Sequence, residues 1–139
     1  MVGPAFVLDV SMALSWFIED EFDAQAQAVL ALFPNARALV PSLWVTEMAN
    51  ALRSAERRRR MLPERTDRIL EDLLAFPIVV DPSDLGAMRR LLVLARQYDV
   101  TPYDASYLDL AMRENVPLLT RDGALKGAAE QARLPRLAP

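Results

Sequence analysis

The sequence contains neither cysteine nor histidine in its 139 residues. The absence of cysteine excludes disulfide bridges and thiolate nucleophiles, and the absence of both residue types excludes Cys/His zinc sites. A Ser-His nucleophile and an imidazole acid/base pair are excluded for the same reason. Any catalysis must therefore use carboxylates, metal-bound water, hydroxyl groups, arginine side chains or Lys126, which is the only lysine.

Long apolar runs are missing as well. The longest segment without a formal charge is residues 24–36, which includes two glutamines, an asparagine and a proline. It falls far short of the ~20 apolar residues needed to cross a bilayer. Asp9 interrupts the only N-terminal stretch that could form the apolar part of a signal peptide. We therefore expect a soluble protein that acts in the cytoplasm and does not enter a membrane.

Length and net charge set two further limits. The chain has the usual size of one domain, and its 53% hydrophobic content is enough to close one core. We therefore expect a single domain over residues 1–139. The 16 basic and 19 acidic residues give a net charge of -3, which opposes a phosphate-containing ligand unless the local charge distribution differs.

Short strand patterns alternate with helix patterns along the chain. Runs rich in Val and Leu predict strands at residues 5–10, 37–41, 78–80 and 118–120. Capping and proline signals predict helices at residues 11–17, from 20 or 21 to 33, 42–58, 63–75, from 83 or 84 to 98, 101–114, and from 122 onwards. The tail, residues 134–139, fits a weak edge strand or a frayed end. This order predicts an α/β fold, a three-layer α/β/α sandwich around a parallel sheet of four or five strands.

Two acidic residues follow predicted strands. Asp9 ends the first strand, and Asp122 comes two residues after the last. Ligand sites in open parallel sheets form at the carboxyl ends of the strands, so these two side chains are expected to approach each other. Asp122 is equally suited to cap the final helix, whereas Ser11 is available to cap the turn after Asp9.

Two further acidic residues lie on predicted helices. Asp104 shares a helix face with Leu108, Ala111 and Met112, so its carboxylate is expected to point towards protein, although it also fits a capping box with Thr101. Asp109 falls at the margin of that face and is expected behind the site or at the surface.

Glu47 lies at the edge of the apolar face of the third helix, and Asn50 and Ser54 continue a polar strip beside it. A glutamate at such a boundary is by itself more often structural than functional. A functional role for Glu47 is therefore supported only in combination with the acidic residues in the other segments.

Taken together, Asp9, Glu47, Asp104 and Asp122 predict a site for divalent cations. Carboxylates that lie close together raise one another's pKa and oppose ionisation unless protons or cations compensate them. Hard divalent ions prefer oxygen ligands, and no histidine is present to compete. Two such ions would also carry the net charge from -3 past zero and supply the positive field that a phosphate needs.

The same segments resemble a known family over nearly the whole chain. The matching stretches are Val7-Leu8-Asp9-Val10-Ser11 with Leu14-Ser15-Trp16-Phe17, Val40-Pro41-Ser42-Leu43-Trp44-Val45-Thr46-Glu47 with Asn50-Ala51-Leu52, Thr101-Pro102-Tyr103-Asp104-Ala105-Ser106-Tyr107-Leu108, and Leu118-Leu119-Thr120-Arg121-Asp122. Each stretch is weak alone, but their order and spacing are specific. They resemble a PIN domain of the VapC-like type found in bacterial toxin-antitoxin systems.

This resemblance implies an endoribonuclease that depends on Mg²⁺ or Mn²⁺, forms a homodimer and is inhibited by a VapB-like antitoxin. The residues implied to bind metal are Asp9, Glu47, Asp104 and Asp122. Ser11 and Thr120 match positions that line the site, and Asn50 matches one beside the glutamate. The substrate would be RNA, hydrolysed by metal-activated water.

Two other functions stay open at this point. A phosphoacceptor receiver domain has the same three-layer build, but it carries two adjacent acids near the first strand, where Asp9 stands alone. A PIN fold that binds RNA or a partner without cleaving it is the second. The run Arg57 to Arg60 could contact RNA phosphates, although arginines at the end of a helix also favour the helix dipole.

Overall fold

The computed structural model describes residues 4–137. Four strands and seven α-helices alternate in this part of the chain. The strands are β1 (Ala5–Leu8), β2 (Arg37–Pro41), β3 (Ile78–Asp81) and β4 (Leu118–Leu119). The helices are α1 (Val10–Leu14), α2 (Ala24–Leu30), α3 (Leu43–Arg57), α4 (Pro63–Ala75), α5 (Ala87–Tyr98), α6 (Pro102–Glu114) and α7 (Gly123–Gln131). No helix in these residues is both long and apolar enough to cross a membrane.

The strands form one parallel sheet in the order β3-β2-β1-β4. Val7 in β1 faces Leu39 of β2 on one side and Leu118 of β4 on the other, so β1 has a partner on both edges. Parallel neighbours need long crossovers, and the helices that supply them cover both faces. The predicted three-layer α/β/α architecture is confirmed.

The core surrounds β1 and α6. Phe6, Val7 and Leu8 are at most 1% exposed, as is usual for a strand covered on both faces. Seven consecutive residues of α6, from Ala105 to Ala111, are buried. Because α6 packs against β1 and β2 as well as α5, its first turn is fixed relative to the end of β1.

Most helix boundaries agree with their local signals. Pro63 occupies the first turn of α4, where its missing N–H costs nothing. The Thr101 hydroxyl accepts a hydrogen bond from the Asp104 N–H at 3.1 Å, which fixes the start of α6. Asp122 likewise accepts a hydrogen bond from the Leu125 N–H at 2.9 Å and caps α7.

Several predicted boundaries are wrong. The elements β1, α1 and α2 end at Leu8, Leu14 and Leu30, two or three residues earlier than expected. Asp9, not Ser11, precedes α1, because the Ser11 hydroxyl donates to the Asp9 carboxylate and does not cap the helix. Asp23 caps α2 through the Ala26 N–H, so this helix starts later than residue 20 or 21. The segment Glu19–Glu21 forms a separate 3₁₀ turn.

The start of α5 was also predicted too early. The helix begins at Ala87, after Gly86, because the Ser83 hydroxyl is engaged by Ser42 at 3.0 Å instead of capping a helix. At the other end of the chain, residues 134–137 form no strand. Residues 138 and 139, the rest of the predicted tail element, lie outside the described residues.

Candidate active site

Asp9 follows the central strand and is held by two hydroxyl groups. Ser11 donates to the Asp9 Oδ2 at 2.8 Å, and Thr120 donates to the same oxygen at 2.6 Å. The Asp9 N–H donates to the Leu119 carbonyl oxygen at 3.0 Å, which ties the residue to β4. Within residues 4–137 the Asp9 Oδ1 accepts no hydrogen bond. The pairing of β1 with β4 therefore leaves one oxygen of a nearly buried carboxylate available to a ligand.

Thr120 connects Asp9 to Asp122. The Thr120 side-chain oxygen accepts a hydrogen bond from the Asp122 N–H at 3.0 Å while its hydroxyl proton goes to Asp9. Asp122 directs its Oδ2 to the Leu125 N–H. The expected capping role of Asp122 is thus confirmed, and its Oδ1 accepts no hydrogen bond from the described residues. Capping uses only one of the two carboxylate oxygens.

Glu47 reaches the same region from α3. Tyr107 of α6 is 2% exposed, and its hydroxyl donates to the Glu47 Oε1 at 2.6 Å. Burial raises the pKa of Glu47; the hydrogen bond from Tyr107 opposes this, and the charges of Asp9 and Asp104 add to it. Burial, and next the bond to Glu47, raise the pKa of Tyr107 far above its usual range. Tyr107 is therefore a neutral donor that positions Glu47.

Asp104 lies in the first turn of α6 and is half-buried. Burial raises its pKa, the charges of Asp122 and Asp9 raise it further, and the Thr101 hydroxyl acts in the opposite direction. Leu108 and Ala111, which were expected to share a buried helix face with Asp104, are both 0% exposed, whereas Met112, expected on the same face, is 40% exposed. Asp104 thus lies at the partly exposed N-terminal end of the buried face of α6.

The charges of the four acids interact as one group. Asp9 acts on both Glu47 and Asp104, Asp104 also acts on Glu47, and Asp122 acts on Asp104. None of the four forms an ion pair with an arginine or lysine within residues 4–137. The structure therefore gathers negative charge from β1, α3, α6 and the β4-α7 junction without placing a cationic side chain against it.

These residues have the right chemistry for a divalent cation. Within the described residues, no three acidic side chains lie close enough together to coordinate one ion as they stand. Magnesium usually keeps several waters and binds through one or two carboxylates, so such a cluster is not a requirement. Hard oxygen donors with free lone pairs at Asp9, Glu47 and Asp122, together with mutual charge repulsion, fit Mg²⁺ or Mn²⁺.

The structure brings together most of the predicted site residues. Ser11 and Thr120 contact Asp9 directly, but Asn50 is exposed and lines a separate cleft further along α3 with Arg53, Ser54, Arg57 and Arg58. Tyr107 was not assigned a role from the sequence. Its spacing of three residues from Asp104, on the same side of α6, is the signal that could have identified it.

Asp109 has a different environment from the one expected. It is 7% exposed and is paired with Arg113 at 3.0 Å and Arg90 at 3.4 Å. Arg113 also pairs with Asp81 at the end of β3, at 2.8 Å. Asp109 thus belongs to an ion-pair network between α5, α6 and β3, and is neither at the surface nor behind the acidic site.

Comparisons with known proteins agree with this fold. A similar structure is that of PAE2754 from Pyrobaculum aerophilum, with 24% sequence identity and a TM-score of 0.67 over 90% of this chain and 79% of that one. Another is VapC20 from Mycobacterium tuberculosis, a sarcin-ricin loop cleaving toxin, with 14% identity and a TM-score of 0.68 over 96% of this chain and 99% of that one. A search of curated protein sequences gives no significant match.

The sequence itself supplies the family assignment. A family model described as the PIN domain matches residues 6–131, a range that begins in β1 and ends with α7 and so includes every acidic residue of the site. This match sets aside the receiver-like alternative. Since the model spans most of the chain, the protein belongs to the PIN domain family.

Proposed function

We propose that this protein is an endoribonuclease that hydrolyses phosphodiester bonds in RNA with Mg²⁺ or Mn²⁺, and that its metal ligands are Asp9, Glu47, Asp104 and Asp122. The observation that carries the proposal is the group of four interacting carboxylates, none of which forms an ion pair within residues 4–137. Membership of the PIN family supports the reaction class. We take residues 1–139 as a single domain carrying the whole site.

The bound ions would supply a water of lowered pKa and positive charge against the phosphate. The chain's own residues would position these ligands. Ser11 and Thr120 hold one oxygen of Asp9 and leave the other without a hydrogen bond from the described residues. Tyr107 holds one oxygen of Glu47 in the same manner. These hydrogen bonds limit carboxylate rotation, and such support of metal ligands commonly sets affinity and activity.

We further propose that the protein is the toxin of a toxin-antitoxin pair and acts on RNA in the cytoplasm. The structural similarity to VapC20 supports this role. Its partners would be a VapB-like antitoxin and a second copy of the chain. The helix α5 supports an association surface, because Met88, Leu92 and Val93 are 46–60% exposed although all three are apolar.

The test uses the purified, antitoxin-free protein with total cellular RNA. Wild-type protein is incubated with Mg²⁺ or Mn²⁺, with and without EDTA, beside the variant Asp9→Asn. We expect cleavage only with metal and only by the wild type. Asn keeps the shape of Asp and can still accept the two hydroxyl hydrogen bonds, so loss of activity would report the missing charge.

A PIN-fold module that binds RNA without cleaving it is the second candidate. The absence of three converging acidic side chains in residues 4–137 favours it. Calorimetric titration with Mg²⁺ separates the two functions. Metal binding that disappears in Asp9→Asn, together with cleavage, supports the nuclease; RNA binding with neither metal binding nor cleavage supports the module and refutes the nuclease.

A further inference from the structure

A cluster of arginines surrounds the C-terminal end of α3. We call Arg53, Arg57, Arg58, Arg59 and Arg60 the α3 arginine cluster, and all five side chains are exposed. Arg57 ends the helix, Arg58 follows it, and Arg59 adopts a left-handed conformation with φ of 57° that turns the chain away. The run therefore wraps around the helix end and does not continue as one face.

Most of this positive charge has no counterion among the described residues. Arg53 pairs with Glu56 at 3.1 Å, and Glu56 also accepts a hydrogen bond from the Thr66 hydroxyl. Within residues 4–137, none of the arginines 57–60 forms an ion pair. The carbonyl end of a helix contributes only about half a negative charge. Four guanidinium groups thus exceed what the helix end requires in a chain whose net charge is -3.

Three arginines of the cluster line a cleft together with two other side chains that can donate hydrogen bonds. Its lining consists of Asn50, Arg53, Ser54, Arg57 and Arg58, and its volume is about 340 Å³. Guanidinium, carboxamide and hydroxyl groups are the side chains that bind phosphate oxygens. Among the described residues no carboxylate lines this cleft, and the nearby Glu56 carboxylate is paired with Arg53.

The cleft and one member of the acidic site, Glu47, lie on the same helix. Glu47, Asn50 and Ser54 follow one another at spacings of three or four residues on one side of α3, and Arg58 follows Ser54 by four residues just beyond the helix end. Arg58 lies eleven positions after Glu47, which corresponds to ~16 Å along the helix axis. That distance is spanned by a few nucleotides of single-stranded RNA.

We propose that this cleft binds the backbone phosphates of single-stranded RNA a few nucleotides from the bond to be cleaved. The proposal rests on the proposed ribonuclease function for its ligand, and the shared side of α3 favours RNA over an acidic protein segment. Asn50 then acts on remote phosphate and not on metal. Because these side chains contact backbone phosphates and not bases, the cleft should bind RNA without selecting a sequence.

The experiment measures RNA binding in EDTA, where a metal-dependent enzyme leaves its substrate intact. A fluorescein-labelled single-stranded RNA is titrated at several salt concentrations against the wild type and Arg57→Glu/Arg58→Glu. The matched control is Arg133→Glu/Arg136→Glu, which reverses two exposed arginines elsewhere. Arg57→Lys/Arg58→Lys tests whether charge alone suffices. Thermal unfolding of each variant checks the fold, which should not change because these side chains are exposed.

We expect roughly tenfold weaker binding or more for Arg57→Glu/Arg58→Glu. The plot of log K against log salt has a negative slope, and this slope should become less steep by about 0.7 for each phosphate contact removed. The control should bind as the wild type does, and the lysine variant should keep the salt slope. An equal loss in the control, an unchanged slope in the cluster variant, or no RNA binding by the wild type would overturn the proposal, as would tighter binding of poly-glutamate than of RNA.

The two proposals fail separately. Cluster-dependent RNA binding by a protein that never cleaves RNA supports the phosphate cleft and refutes the nuclease. Metal-dependent cleavage by a protein whose RNA binding ignores the cluster supports the nuclease and refutes the cleft.

Discussion

Two regions of the molecule bury carboxylates, and they treat the charge in opposite ways. In the network between α5, α6 and β3, Asp109 contacts Arg90 and Arg113, and Arg113 also pairs with Asp81. At the carboxyl end of β1 and β4, the Asp9 carboxylate accepts hydrogen bonds only from hydroxyl groups among the described residues. Both regions include residues of α6, yet only one of them contains its own counterions.

We interpret the difference as one between a structural use of charge and the functional use that we propose for the acidic site. An acid with an arginine beside it needs nothing further, and removing it leaves a cation without its partner. Acids that lack such partners lower stability until a ligand compensates them, which is the usual property of an active site. The four predictions below change one region at a time, in descending order of expected effect.

The largest effect is expected from Asp9→Asn. Removing this charge should reduce metal-dependent RNA cleavage by more than about a hundredfold, because even supporting residues of metal sites commonly cost ten- to a hundredfold. Cleavage rates with excess Mg²⁺ are the measurement, and circular dichroism tests the fold. The exposed Asp20→Asn serves as the matched control. Undiminished cleavage by a folded Asp9→Asn protein would exclude Asp9 as a ligand.

Asp109→Asn should lower the stability of the protein and leave RNA cleavage unchanged. Loss of the buried carboxylate weakens its hydrogen bonds to Arg90 and Arg113, and we expect the free energy of unfolding to fall by about 2 kcal/mol, the partial exposure of both arginines being taken into account. Urea unfolding measures this value. Cleavage at a temperature where the variant stays folded should match the wild type. If activity disappears while stability is kept, the two regions are not separate.

Tyr107→Phe tests the support of Glu47. The substitution removes the hydroxyl that donates to the Glu47 Oε1 and leaves the buried ring in place. We expect the Mg²⁺ concentration for half-maximal activity to rise by about tenfold, with a smaller change at saturating metal. A purely structural role would instead lower the unfolding temperature without moving the metal dependence, so both quantities are measured.

Asp104→Asn should stabilise the metal-free protein. Because burial and neighbouring charges raise the pKa of Asp104, its ionised form destabilises the fold at neutral pH. We expect the unfolding temperature in EDTA at pH 7 to rise by about 2 °C or more. The exposed Asp67→Asn is the control and should change little.

The pH dependence of this gain has a definite sign. As pH falls through the raised pKa of the folded state and below the ordinary value of 3.8, the wild type becomes protonated and the advantage of the variant should disappear. Added Mg²⁺ should stabilise the wild type more than the variant. An advantage that persists at low pH would mean that charge repulsion is not its cause.

The order and type of the elements could be predicted because local signals determined them. Apolar runs between polar ends gave β2 its bounds at Arg37 and Pro41, and Pro63 and Thr101 marked the starts of α4 and α6. The errors occurred where several capping residues compete. Asp20, Glu21 and Asp23 all suit a helix start, and only the packed chain decides that Asp23 is used.

The sequence indicates which residues are candidates for the site more readily than it indicates the contacts that their side chains make. Strand-end position identified Asp9 and Asp122, since parallel strands end at one edge of a sheet. Whether Asp109 meets an arginine depends on how α5 packs on α6, a contact between separate helices that no local pattern encodes. The role of Tyr107 depends in the same way on α3 lying near α6. Tertiary contacts therefore account for what sequence patterns did not predict.

The pairing of the first strand with the last has a consequence for the synthesis of the protein. Thr120, which holds Asp9, follows it in sequence by 111 residues, and the strand that carries Asp9 stays open on one side until β4 has been translated. A growing chain therefore contains Asp9 long before Thr120 is present to orient its carboxylate. The chain must therefore be synthesised through Thr120 before the Asp9 carboxylate can receive both of its hydroxyl hydrogen bonds.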